Sequence, residues 1–150
     1  MKEKLHIMTL FVSCCLFSNV AISGVLEDTV KYRQGMMGGV GWNVGLMGAM
    51  VKGDAPFDRE KFIFFASRTS LLIPMVVEGF TEKTKDLDSN VKPKIWSNLD
   101  DFNEKMSNLG KEASELLKVA EEGTESEIKK QFGTTVKQCK GCHDLYKESG

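Results

Sequence analysis

Cys139-Lys140-Gly141-Cys142-His143, near the end of a 150-residue chain, constrains the rest more than any other stretch. Two cysteines three residues apart, followed at once by a histidine, form the attachment pattern of c-type haem. The thiols add to the porphyrin vinyl groups and the imidazole becomes an axial ligand of the iron. The spacing is mechanical. On a helix, Cys139 and Cys142 stand at i and i+3 and His143 at i+4, so one face holds a flat macrocycle at three points. A zinc half-site competes for the same residues, but it needs further Cys or His ligands. Those that remain, His6, Cys14 and Cys15, all lie within residues 1–23. The pattern therefore predicts one haem c, covalent through Cys139 and Cys142, with His143 as the metal ligand.

Residues 1–23 read as a cleaved secretory signal peptide. Lys2 and Lys4 give a basic start, Ile7 to Ile22 is mostly apolar, and Ala21-Ile22-Ser23 offers small residues to a peptidase cutting before Gly24. A retained membrane anchor competes, yet Ser13, Ser18 and Asn19 interrupt the run, which falls short of the roughly 20 residues of a span. A lipid-modified Cys14 would end the apolar core too early. Haem c is attached outside the cytoplasm, so leader and motif agree on a periplasmic protein. Residues 24–150 then form one domain of ordinary size.

The mature chain has no cysteines beyond the motif, so its stability must come from the core and the haem. Losing Lys2, Glu3 and Lys4 takes the formal net charge from −1 to −2, and the charges are interspersed. That balance gives no electrostatic case for nucleic acid, or for a membrane surface once the leader is gone.

Four segments carry helical periodicity. Glu27 to about Val51 repeats Val30, Met37, Val40, Val44, Met47 and Val51 at near-helical spacing. It also carries Gly35, Gly38, Gly39, Gly41, Gly45 and Gly48, each costing a helix about 1 kcal/mol against alanine. Either a haem or a second helix approaches this backbone closely, or the helix is frayed; glycines alternating with large apolar residues favour close approach. Asp58 is a candidate N-cap for a second helix with Phe62, Phe65, Thr69, Leu72, Ile73, Val76 and Phe80 inward. Pro74 should kink that helix or end it nearby. Thr81 to Pro93 lacks an apolar period and reads as a solvated connection.

Ser97-Asn98-Leu99-Asp100 resembles a capping box opening a third helix, whose inner face is Leu99, Phe102, Met106, Leu109, Ala113, Leu116, Leu117 and Ala120. Gly123 stops it. Thr124 to Glu127 is a second capping box, opening a fourth helix with Ile128, Phe132, Val136, Cys139, Cys142 or His143, and Tyr146 on one stripe. The expected fold is all-α: an antiparallel four-helix bundle with haem c on the C-terminal helix. No strand pattern or phosphate-cradling glycine loop competes.

His143 is the sole histidine after leader removal, so a second histidine ligand within the chain is excluded. The iron's sixth position is then open, water-filled, or taken by methionine or lysine. The first helix is the natural opposite wall, which makes Met36 and Met37 the methionines nearest the iron's other face.

The chain resembles the cytochrome c′ family. The resemblance rests on Val30-Lys31-Tyr32-Arg33-Gln34, on Val51-Lys52-Gly53-Asp54-Ala55-Pro56-Phe57-Asp58 and on Pro93-Lys94-Ile95-Trp96-Ser97. It extends through Phe132-Gly133 and from Cys139 to Lys147, including the C-terminal position of the haem motif. It implies a five-coordinate, high-spin haem with His143 as fifth ligand and an apolar distal pocket. It places Met37 over the iron and Arg33 at a haem propionate; the bland alternative for Arg33 is a solvated surface residue. Lys147 stands where members that bind nitric oxide proximally often have arginine, and lysine lacks that planar fork. The family also has low-spin relatives in which a first-helix methionine ligates the iron, so Met37 is either a guard or a ligand.

The implied function is electron transfer, binding of nitric oxide and carbon monoxide, or both, with redox proteins as partners. No turnover of its own is expected, because the proposed pocket has no histidine free for acid–base work. The resemblance also implies a homodimer through the outer faces of the first two helices; Phe64 and Phe65 next to Phe62 make the second apolar beyond a single stripe, which fits either a buried helix or an interface.

Overall fold

The computed structural model describes residues 2–81, 84, 85, 87 and 90–148, with only the backbone described for residues 2–23. Four helices follow in order: α1 (Lys2–Lys52), α2 (Arg59–Val76), α3 (Leu99–Glu122) and α4 (Glu125–Tyr146). α1 begins earlier than the expected Glu27, because the residues before it are helical without an amphipathic period to mark them. It stops at Gly53, whose φ of 83° is left-handed backbone, and the N–H groups of Asp54 and Ala55 fold back onto the Ala49 carbonyl.

Asp58 caps α2 as expected, its carboxylate accepting from the Lys61 N–H at 3.1 Å. Pro74 sits on the outer side, and the helix ends two residues later in a 3-10 turn, Val77–Gly79. The Thr124–Glu127 capping box of α4 forms in both halves. The expected box at Ser97–Asp100 does not form. A 3-10 turn, Pro93–Ser97, leads straight into α3, and the Asn98 side-chain amide donates back to the Lys94 carbonyl at 2.8 Å. Arg59, at the start of α2, supplies a fastening that no local pattern announces: its two terminal nitrogens donate to the Ala120 and Gly123 carbonyls, both at 2.7 Å, at the end of α3.

The buried stripe of each helix faces the common core, with Phe62, Ile73, Phe102, Leu116 and Ile128 among its most enclosed residues. The core divides into two clusters. One, around Met47, Phe62, Leu116, Ile128 and Phe132, fills the end where the α1–α2 and α3–α4 turns lie. The other, around Val40, Ile73, Phe102, Met106, Cys142 and Tyr146, fills the opposite end. Packing joins α1 to α2, α2 to α3 and α3 to α4, whereas α1 and α4 meet little. The fourth seam is open. Close approach along α1 is real at Gly39, where an added Cβ would stand 3.0 Å from Leu72 of α2.

Candidate functional site

The open seam contains a cavity of about 370 Å³. Met37, Gly38 and Gly41 line it from α1, and Cys142, His143 and Tyr146 line it from α4. Phe102 of α3, with Phe80 and Ile95, forms its inner end. Its wall is overwhelmingly apolar, and neither Gly38 nor Gly41 presents a side chain into it. The expectation that glycines of the first helix leave room for a flat group is met at these two positions.

Cys142 is buried, Cys139 is half-buried against the same core cluster, and neither is in a disulfide. Burial pushes both thiols above their ordinary range, so they stand protonated at neutral pH. His143 is exposed at the rim rather than part of the core stripe, which settles the Cys142-or-His143 choice in favour of Cys142. Partial desolvation, with the Lys147 ammonium second, holds the imidazole below its usual pKa, favouring the neutral form a metal ligand needs.

Met37 lines the cavity across from His143, while Met36 packs on the neighbouring core and does not line it. Of the two methionines expected on that wall, Met37 is the one that lines the cavity.

Arg33 lines the cavity too, but it is not a solvated surface residue. It is 1% exposed and donates through Nη1 to the Gly79 carbonyl at 2.7 Å and to Thr84 Oγ1 at 2.6 Å. Its guanidinium carbon lies 4.7 Å from the Phe80 ring centre and 5.5 Å from that of Trp96. Arg33 thus fastens the α2–α3 connection to α1 at the edge of the cavity. Thr84, inside a stretch expected to be solvated, is fully buried as a result.

Three further features escaped the sequence. Tyr146 is buried against the cavity with its hydroxyl bonded to Asp101. Desolvation and that carboxylate push the phenol up to about 12, while the bond from Tyr146, then Lys105, holds Asp101 below the usual carboxylate range. Lys147 does not continue α4: its backbone is extended and forms an isolated antiparallel bridge with Val91. It lines the cavity from that position instead of from a further helical turn. Lastly, Trp96 Nε1 is buried without a hydrogen-bond partner among the described residues.

These residues fit a covalent haem. The Cys142 thiol and a neutral His143 imidazole line an apolar slot that Gly38 and Gly41 leave open on the α1 side, and the Cys139 thiol lies one turn away against the same core cluster. The guanidinium of Arg33, which lines the same cavity, suits a carboxylate.

Comparison with known proteins agrees with that chemistry. A sequence-family model described as cytochrome C′ matches residues 28–147. Cytochrome c′ of Halomonas halodenitrificans is 32% identical over 127 residues, covering 81% of this chain and 96% of that protein. A cytochrome c-556 of Agrobacterium tumefaciens is 33% identical over 121 residues, covering 77% of this chain and 90% of its own. Among solved structures, cytochrome c prime from Shewanella frigidimarina aligns with a TM-score of 0.79 at 37% identity, covering 83% of this chain and 97% of that one. A nitric oxide complex of a mutant cytochrome c prime from Alcaligenes xylosoxidans aligns with a TM-score of 0.75 at 28% identity, covering 83% and 97%.

Proposed function

Because the chain belongs to the cytochrome c′ family, we propose that it is a periplasmic haem c protein that carries electrons, binds nitric oxide and carbon monoxide, or does both. The leader is residues 1–23 and the working domain 24–150, a division in keeping with a family match that starts at residue 28. The observation that carries the reading is the slot in the open seam, where Cys142 and His143 face Met37 across an apolar gap. Bound haem c supplies an iron that exchanges single electrons and takes small neutral ligands.

The chain's own residues do the rest. Cys139 and Cys142 would hold the group covalently, His143 would ligate the metal, and Arg33 would meet a propionate. The apolar walls exclude water and charged ligands. That a relative has been solved as its nitric oxide complex supports gas binding here. His143 is the slot's single imidazole and would be committed to iron, so the protein is a carrier rather than a catalyst.

Met37 decides between two iron sites. As a packed guard it leaves the iron five-coordinate and high-spin; as a ligand it makes a low-spin electron carrier. The guard reading is preferred, and the position of Met37 opposite His143 keeps the ligand reading in play. The optical spectrum of the ferrous holoprotein separates them. A high-spin spectrum that shifts on adding carbon monoxide is expected. A low-spin spectrum indifferent to the gas, turned high-spin by Met37→Ala, would reverse the assignment. Sustained peroxide turnover at a metabolic rate in the same preparation would instead identify a catalyst.

The outer faces of α1 and α2 support a homodimer. Trp42 is 68% exposed, Leu71 67%, Phe64 49% and Met75 37%. Leu71, Phe64 and Met75 contribute to a stretch, Arg59–Gly79, apolar enough by length and composition alone to resemble a membrane span. Light scattering is expected to give twice the mature mass, falling to the monomer in Leu71→Lys; a monomeric wild type would sink the dimer.

A further inference from the structure

A helix leaves its last four carbonyls without intrahelical donors, and in α4 that last turn contains His143. The Lys147 N–H returns to the His143 carbonyl at 3.0 Å. Two further donors come from outside the helix, and both belong to one residue. Lys92, just before the turn that leads into α3, donates its backbone N–H to the Tyr146 carbonyl at 2.9 Å and its ammonium to the Asp144 carbonyl at 3.1 Å. The Glu148 N–H answers by donating to the Asn90 carbonyl at 3.1 Å, so the two segments are paired in both directions. A cation at this end of a helix is favoured by the helix dipole as well.

The His143 ring, by contrast, has no hydrogen-bond partner among the described residues. Its position is therefore set by the backbone of the last turn of α4, and the donors that keep that turn wound act on the ring indirectly.

We infer that Lys92 is a positioning residue for the iron's histidine: it caps the haem-bearing helix from across the chain and keeps the turn that carries His143 from fraying. The inference rests on the reading of His143 as the axial ligand. It also gives the α2–α3 connection a part in the site, since Lys92 lies far from His143 in sequence and touches only its helix.

Lys92 has φ −63° and ψ 136°, a backbone that proline adopts without strain. Lys92→Pro therefore deletes the N–H and the ammonium together, and Lys92→Ala deletes the ammonium alone. In holoprotein carrying Lys92→Pro, amides of the last turn of α4 should exchange with solvent about tenfold faster, as loss of one hydrogen bond allows, with α1 to α3 unchanged. On heating, the optical signature of imidazole-bound iron should vanish before the far-ultraviolet helix signal. In the wild type the two should vanish together, and Lys92→Ala should lie between.

A merely structural role would move both thermal transitions in step and would overturn the inference. So would a wild-type Lys92 amide that exchanges at the unprotected rate, a measurement that needs no variant to fold. If the wild type instead shows haem without an imidazole ligand, the reading of His143 has failed, and the protection of the Lys92 amide still reports whether the cap exists.

Discussion

Replacing both Cys139 and Cys142 with serine is expected to give a bundle whose haem passes entirely into acidified organic solvent, where the wild type should retain all of it. The two sulfurs lie one turn apart on α4, and Cys142 lines the slot. A serine hydroxyl is nearly isosteric with a thiol but forms no thioether with a vinyl carbon. The His143 bond and the apolar walls would then be the whole of the attachment, and acid breaks the first by protonating the imidazole. Haem extraction followed by the absorbance of the protein layer checks this. Colour retained by the double variant would mean that attachment lies elsewhere and would remove the premise of a c-type site. Stability should fall along with retention, because a haem that leaves the chain no longer fills the apolar slot between α1 and α4.

Phe102→Ala should cost about 3–5 kcal/mol of unfolding free energy, the range for truncating an enclosed phenylalanine. Phe102 is 1% exposed and its ring serves two neighbours, with centroids 4.6 Å from Phe80 and 6.0 Å from Tyr146. It is also the inner end of the slot. Truncation removes packing from the cluster behind the slot and enlarges the slot at once, so collapse around the cavity is limited by the bound macrocycle. Urea unfolding of the holoprotein, followed by circular dichroism, measures the loss. A change below about 1 kcal/mol would show that Phe102 is not the wall between core and slot.

Much of this architecture could be read from residue spacing. The inner face of α3 was legible because Phe102, Met106, Leu109, Ala113 and Leu116 recur at helical intervals, and all five are buried. Asp58 and Thr124 announced their helices through side chains that cap locally. Local patterns fail where the partner is distant. Asn98 has the right type for a cap, but the preceding 3-10 turn claims its amide. Arg59, Thr84 and Lys92 each act on a residue more than 50 positions away, and no periodicity encodes such a pairing. The site divides the same way. Cys139, Cys142 and His143 form one contiguous signature, Met37 came with Met36 from taking the first helix as the opposite wall and was singled out by family likeness, and Arg33 came from family likeness alone. What Arg33 does inside the fold, and the bond between Tyr146 and Asp101, required the structure.

The open seam between α1 and α4 bears on how the chain assembles. Every extensive helix interface joins neighbours in the chain, so each can form as a local hairpin soon after its second member is made. The pairing of first helix with last is the one that would demand closing a loop of nearly the whole domain before any contact repaid the lost chain entropy. In this fold no such closure has to come first: α1 and α4 reach their places through α2 and α3, and the gap left between them is the slot itself.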